Sequence, residues 1–376
     1  MMIDSRQNQK RWSRELSNIL ITGGAGFIGK RLALSLRSVG HTVAVFDNLQ
    51  PQVHPEPEKT TAELKEAGVR FTFGDVLKID AVTEAIVEAK AEIVVHLAAE
   101  TGTGQSYDIP AHYCDVNVTG TARLIEAIRI ARTKGVGMRR VVLAGSRAVY
   151  GEGACRDAEG REVTAVPRLS ADLATGDFAP KDAQGRALEP IASCAATTVP
   201  APASIYASTK LMQEYLLRQG LEQSGIEATI LRLQNVYGAG QSLHNPYTGV
   251  LSIFAQQLLE GKTLNIYEDG EIVRDFVHVS DVVSAFHRLC DLEQVPQETA
   301  DIGSGKGASI LEVAQTMIEV LDLVGERLTI SGQFRPGDVR HAVADISAAE
   351  RYLDWTPQVS LSDGIRDLID WARKTG

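Results

Sequence analysis

Tyr206 and Lys210 stand four residues apart in the stretch SIYASTK. On a helix this spacing puts a phenol and an ammonium on one face, where the pair can hold and move a proton. A tyrosine and a lysine at this spacing are common, however, and the same pair serves equally well as the wetted face of an ordinary helix. Ser146, in GSRAVYG, ends an apolar run. It is either a cap for the following turn or a hydroxyl aimed at a ligand. The rest of the chain has to separate these readings.

A glycine-rich loop is more specific. TGGAGFIG carries Gly23, Gly24, Gly26 and Gly29, which fit both G-x-x-G-x-x-G and G-x-G-x-x-G. A tight exit from a strand needs positive φ, which glycine takes freely. A bare position at Gly26 lets a pyrophosphate approach the N–H groups of a helix N-terminus, and Gly29 lets that helix pack closely on the strand. TVAVFD then ends in Asp47, 24 residues beyond Gly23. A carboxylate there accepts the two hydroxyls of an adenosine ribose and repels a 2′-phosphate, so the expected cofactor is NAD rather than NADP. The residues expected to face it are Gly23, Gly26, Phe27, Ile28, Gly29, Asp47, Asn48, Asp75 and Val76, with Leu97, Ala98 and Ala99 as small apolar lining.

These residues need a scaffold, and the apolar pattern supplies one. Runs at 19–21, 42–47, 69–75, 91–99 and 139–146 lack alternation and are separated by helical patterns, notably Phe27–Val39 and Val116–Arg132. Unalternating runs between amphipathic helices predict a parallel sheet buried on both faces, hence a doubly wound α/β (Rossmann) fold. A helix carrying Tyr206 and Lys210 is expected to reach Leu221, with a sixth strand over 227–238. From Gly240 onward, short strands and helices predict a smaller mixed α/β lobe that covers the carboxyl ends of the sheet. The domain reading is a flexible leader over 1–16, a cofactor-binding domain over 17–238 and a substrate lobe over 239–376 interleaved with it. Residues 151–203, rich in Ala, Pro, Gly, Asp and Arg, show no clear period. A structureless loop of that length is uncommon in a compact domain, and the segment reads as an insertion at the rim of the site, either a lid with short local elements or an excursion without a role.

Composition narrows the partners. The 376 residues are 44% hydrophobic and carry a formal charge of −10. That charge argues against general nucleic-acid binding, and an anionic ligand would need specific arginines. No window approaches the ~18 apolar residues of a membrane span, and the polar start lacks the apolar block of a secretory signal. A cytoplasmic protein with no membrane partner is expected. Cys114, Cys155, Cys194 and Cys290 have no C-x-x-C spacing, so no metal site is expected.

Read in order, TGGAGFIG, FDN, FGDV, HLAA, VNVTGT, GSRAVYG, YASTK, LRLQNVYG, RDFVHVSDV and RPGDVRH resemble the extended short-chain dehydrogenase/reductase family, in its branch of nucleotide-sugar epimerases and dehydratases. The resemblance spans roughly residues 17–375. It implies that Tyr206 is the catalytic base, Lys210 its supporting cation and Ser146 the hydroxyl that orients the reacting sugar. A free phenol has a pKa near ~10, so working near neutrality requires a drop of about 3 units, or ~4 kcal/mol, to which Lys210 and an oxidised nicotinamide would contribute. Asn117 is implied to support the lysine and cofactor site. Asn235, Arg274, Arg335 and Asp338 are implied to bind the nucleotide sugar, with Arg340 a weaker candidate that pairs instead with Asp345. A homodimer through the helices around 116–132 and 206–221 is also implied.

The resemblance narrows the reaction as well. Dehydratases of the branch carry an acidic pair after the Ser or Thr. Here Arg147 and Ala148 follow Ser146, and neither protonates a departing hydroxyl. The surviving expectation is 4-epimerisation of a nucleotide sugar. HLAAETGTGQS, AGSRAVYGEG and QNVYGAGQSLHNPYTGVLSIF are similar to the members of the branch that act on dTDP-L-rhamnose, with the glucose/galactose and glucuronate epimerases of UDP-sugars as alternatives. A different class, a non-catalytic NAD-binding regulator on the same fold, also stays open.

Overall fold

Four of the five apolar runs become strands because they are buried on both faces, and the third, RFTF, forms the partly exposed edge of the sheet. The computed structural model describes residues 16–242, 249–295, 297–335 and 337–375. The expected leader, apart from Leu16, and part of the stretch QSLHNPYTG lie outside the described residues. Strands β1 (Asn18–Thr22), β2 (Thr42–Asp47), β3 (Arg70–Phe73), β4 (Ile93–His96), β5 (Arg140–Ser146), β6 (Glu227–Leu233) and β7 (Thr299–Ile302) form one sheet in the order 7-6-5-4-1-2-3. Every neighbouring pair is parallel. The sixth run is shorter than its sequence suggests. It stops at Leu233, and after Gln234 a separate strand, Asn235–Tyr237, pairs with Val273–His278 in another sheet. The chain changes sheets there, so a single apolar run serves two layers.

One core lies on each face of the main sheet. On one side Leu32, Leu36, Val282, Phe286, Leu289 and Trp355 pack against Ile19, Ile21 and Val95. On the other Ile86, Leu124, Ile128, Leu217 and Leu221 pack against Leu20, Val94 and Val141. The helix Val279–Asp291 and strand β7 come from beyond residue 239 yet belong to this layer. A third core, around Tyr237, Phe254, Phe276, Met317 and Leu368, holds the C-terminal lobe together.

Residues 151–203 are not structureless. Ala154–Arg156 sits between Glu162–Thr164 and Glu189–Pro190 in a small antiparallel sheet over Cys155, Ala165 and Leu188. Strands of two or three residues are too short to show a period of two in sequence. The sheet is bound to the lobe by Arg168, which lies within 3.3 Å of Glu152 and 2.9 Å of Glu268 and donates to the Asp338 carbonyl. Among the described residues no helix is long and apolar enough to cross a membrane. His41, His287 and Asp291 cluster behind the sheet. His41 Nδ1 accepts the backbone N–H of Ser17 at 3.1 Å, which leaves the ring proton on Nε2, directed at Asp291. That tautomer makes the ring a donor there, not a metal ligand.

Candidate active site

A cleft of about 1210 Å³ runs along the carboxyl ends of the strands, from the glycine loop to Tyr206 and Lys210. The loop forms its floor. Gly23 has φ +67°, and a Cβ there would lie 2.6 Å from the Ala98 nitrogen. A Cβ on Gly29 would lie 2.5 Å from the Gly23 carbonyl oxygen. Both clashes are with backbone, so neither position tolerates a side chain without rebuilding the turn. The helix Phe27–Ser38 begins at Gly26 with no side chain capping it. Its first N–H groups are free to meet a phosphate. Glycine floor, uncapped helix and cleft length together fit a dinucleotide.

Asp47 is more engaged than its sequence position suggests. Its carboxylate accepts the N–H of Ala25 at 2.9 Å and of Leu49 at 2.8 Å, and His54 Nε2 lies 3.4 Å away. An ionised carboxylate has about four acceptor positions, so the protein leaves room for about one ribose hydroxyl rather than two. The negative charge that opposes a 2′-phosphate remains. His54 was not legible as part of the site; the VHPEP stretch around it reads as an ordinary turn.

Phe27, Ile28, Asn48, Val76, Leu97, Ala98 and Ala99 line the cleft with Gly23, Gly26, Gly29 and Asp47. Asp75 and Asn117 are not among the lining residues. Asp75 caps the Leu77 N–H at 2.9 Å. Asn117 is fully buried and binds both the N–H and the carbonyl of Glu100, and Thr209 Oγ1 at 2.9 Å. It clamps the edge of the cleft to the helix Ile205–Leu221 through Thr209.

That helix presents the candidate catalytic pair. Ser204 caps it by accepting the Ala207 N–H at 3.1 Å. The ring of Tyr206 stands edge-on to Tyr113, with centroids 6.4 Å apart, and its backbone N–H donates to Ser106. Ser146, at the end of β5, caps the Ala148 N–H at 3.1 Å and lines the same cleft as Tyr206. The cap is the role that the hydrogen bond shows. Burial raises the phenol above its ordinary value, and the neighbouring Ser146 hydroxyl opposes this only in part. The expected help from Lys210 is not visible in the chain by itself. Lys210 Nζ donates to Gln213 Oε1 at 2.8 Å, and Gln213 donates onward to Thr121.

Burial pulls the Lys210 ammonium down to about 8, against the opposing charge of Glu214. The sign of the resulting pH dependence follows. Between pH 8 and the unfolded value of 10.5 the unfolded chain holds the extra proton. In that window the Lys210 contribution to stability rises with pH, by at most about 1.4 kcal/mol per unit. Below pH 8 its cost is fully present. Urea unfolding at pH 8 and pH 10 should show Lys210→Met ahead of wild type by a margin that shrinks as pH rises. A margin independent of pH would show that Lys210 is not destabilised by burial.

Arg274, Arg335 and Asp338 lie on the C-terminal lobe and are not among the cleft's lining residues. Arg274 pairs with Asp338. Arg335 is exposed and lies over the Tyr267 ring, 5.0 Å from its centroid. Asn235 is flanked by Gln234 and Val236, both of which line the cleft. Arg340 does pair, but with Asp269 at 2.7 Å and Glu268 at 2.9 Å rather than with Asp345, whose carboxylate instead caps Ser347. A strand crossing separates positions that are near in sequence.

The chain matches the family described as NAD dependent epimerase/dehydratase over residues 19–303. It is 40% identical to a dTDP-L-rhamnose 4-epimerase of Burkholderia thailandensis over 353 residues, 94% of each chain. The crystal structure of UDP-glucose 4-epimerase from Thermotoga maritima with UDP-glucose is similar at a TM-score of 0.76 and 27% identity, covering 95% of this chain and 99% of that one. MoeE5 in complex with UDP-glucuronic acid and NAD is similar at a TM-score of 0.73 and 28% identity, with the same coverage.

Proposed function

Because the chain belongs to the NAD-dependent epimerase/dehydratase family, we propose that it is a cytoplasmic nucleotide-sugar 4-epimerase that interconverts dTDP-L-rhamnose and dTDP-6-deoxy-L-talose. The observation that carries the reaction is that Ser146, Tyr206 and Lys210 line the same dinucleotide cleft. The residues after Ser146 are Arg147 and Ala148, which leaves the position without a carboxyl acid for expelling a hydroxyl. The identity with the rhamnose epimerase supports the sugar.

In this reading residues 17–238 hold NAD through the glycine loop, Asp47 and the Leu97–Ala99 wall, and 239–376 hold the nucleotide sugar. NAD, when bound, supplies the oxidation at C4 and its reversal on the opposite face, so it is not consumed, and its positive ring favours the phenolate. Tyr206 takes the proton of the C4 hydroxyl and returns it. Ser146 fixes that hydroxyl against the phenol. Lys210, one helical turn on and lining the same cleft, supplies a positive charge beside the cofactor site. Arg274, Arg335, Asp338 and Asn235 retain the nucleotide while the hexose is free to turn.

The deciding experiment follows C4 inversion by NMR across a panel of dTDP- and UDP-sugars. The expected result is interconversion of the rhamnose and 6-deoxytalose nucleotides in preference to the glucose and galactose pair. Preference for the UDP-hexoses would move the assignment to a UDP-glucose 4-epimerase, and turnover of none of them would overturn it. The enzyme is further proposed to be a homodimer through the helices Gly120–Thr133 and Ile205–Leu221. Ile130, Met212 and Tyr215 are exposed apolar side chains on them. Sedimentation should give roughly twice 40.6 kDa; a 40.6 kDa particle at micromolar concentration excludes it.

A further inference from the structure

Lys210 is almost wholly buried, and among the described residues its ammonium has a single hydrogen-bond acceptor, Gln213 Oε1 at 2.8 Å. Glu214, the carboxylate whose charge reaches it, is committed to Arg232 through bonds of 3.0 and 2.7 Å. The other titratable groups about Lys210 are Tyr206, one turn back on the same helix, and His96 on β4. Gln213 is fully buried and is not among the residues lining the cleft. What holds its amide therefore decides where the ammonium is held.

The neighbours fix the direction of that amide. Thr121 Oγ1 lies 2.6 Å from the Asn117 carbonyl, which can only accept, so the one hydroxyl proton goes there. The oxygen is left to accept, from Gln213 Nε2 at 2.8 Å and from His96 Nε2 at 3.1 Å. A Gln213 carbonyl turned towards Thr121 would meet no proton. The amide therefore points its NH2 group at Thr121 and its oxygen at Lys210. By the same reasoning His96 carries its proton on Nε2, and its Nδ1 accepts from Thr22 Oγ1 at 2.7 Å. Burial and the Lys210 charge push His96 down to about 3, so it stays neutral and adds no second cation. Thr22, His96, Thr121 and Gln213 form one chain from β1 to the helix Ile205–Leu221, with each of these protons assigned. Its fixed point, Asn117, belongs to the π-helical turn Cys114–Thr119, a rare form found often at functional sites.

We propose that Gln213 is a positioning residue for the epimerisation: its amide, held in one orientation by Thr121, anchors the Lys210 ammonium and keeps that charge in place for Tyr206. The inference rests on the nucleotide-sugar reading above. Gln213→Met keeps the length of the side chain and removes the acceptor. Because burial already draws Lys210 down to about 8, a further drop discharges it near neutrality. NMR of enzyme labelled at the lysine Cε carbon should show Lys210 titrating about 0.5–1 pH unit lower than in wild type. The acid limb of kcat/KM, set by Tyr206, should move to higher pH, with KM within about twofold of wild type. Thr121→Val should shift both titrations in the same directions by less, and Thr121→Ser, which keeps the hydroxyl, should match wild type. Thr121→Val added to Gln213→Met should change little further. A merely structural role would lower the melting temperature of Gln213→Met and leave both titrations unmoved, and that outcome overturns the inference. Where Gln213→Met does not fold, Thr121→Val against Thr121→Ser decides by the same two readouts. Wild type that turns over no nucleotide sugar overturns the underlying reading, whereas an active wild type with unmoved variant profiles overturns only the role of Gln213.

Discussion

Tyr206→Phe is expected to lower kcat by about 10²- to 10⁴-fold with little change in folding. The substitution removes one oxygen. The edge-on contact with Tyr113, the backbone bond to Ser106 and the Thr209 bond to the Tyr206 carbonyl all survive it. The Ser146 hydroxyl keeps its bond to the Ala148 N–H. What disappears is the group that takes and returns the C4 proton. Lys210 cannot replace it, because its ammonium is directed at Gln213. Steady-state rates should be read beside the cofactor content and melting temperature of the variant, both of which should match wild type. Wild-type turnover in a variant that retains NAD would remove Tyr206 from the mechanism.

The second large effect concerns stability. Beneath the catalytic helix, Arg232 on β6 forms a fork with Glu214, with bonds of 3.0 and 2.7 Å. Both side chains are buried. Arg232 also lies over the ring of Tyr150, 4.7 Å from its centroid, and Tyr150 donates to Asp301 on β7 at 2.9 Å. Burial pushes the Asp301 carboxyl up to about 7. Glu214→Ala leaves Arg232 charged and unpaired in this interior, and should cost about 3–5 kcal/mol. Removing both charges, with Glu214→Leu and Arg232→Met together, should cost far less, since no lone ion remains. Urea unfolding of the three proteins measures both values. A Glu214→Ala loss within experimental error of zero would mean that water reaches Arg232 and that the pair is not sealed.

Not all of this was equally legible beforehand. The glycine loop was readable because its demands are local. Positive φ at Gly23 and a bare Cα at Gly29 concern atoms within a few residues, apart from the approach of Ala98. The inner strands of the parallel sheet were readable because burial on both faces forces an unbroken apolar run. Glu214 and Arg232 were in view in the sequence, the first four residues beyond Lys210 and the second interrupting the run ATILRL. A charge in a buried strand implies a partner, but nothing in the sequence names it. The small sheet of residues 151–203 was hidden for a different reason, since its strands are shorter than any detectable period.

By itself, then, the sequence determined the parallel sheet, the dinucleotide loop, the acid at Asp47 and the ordered set of motifs that carry the family. Each depends on residue type at short range, through backbone sterics or through the side-chain period of one element. Only the tertiary structure decided how far Asp47 is already occupied by Ala25, Leu49 and His54, that Lys210 turns to Gln213, and that Arg340 pairs across to Asp269. Those facts depend on which distant segments meet. Ion pairing and desolvation act through space over a few ångströms, and chain order does not record that distance.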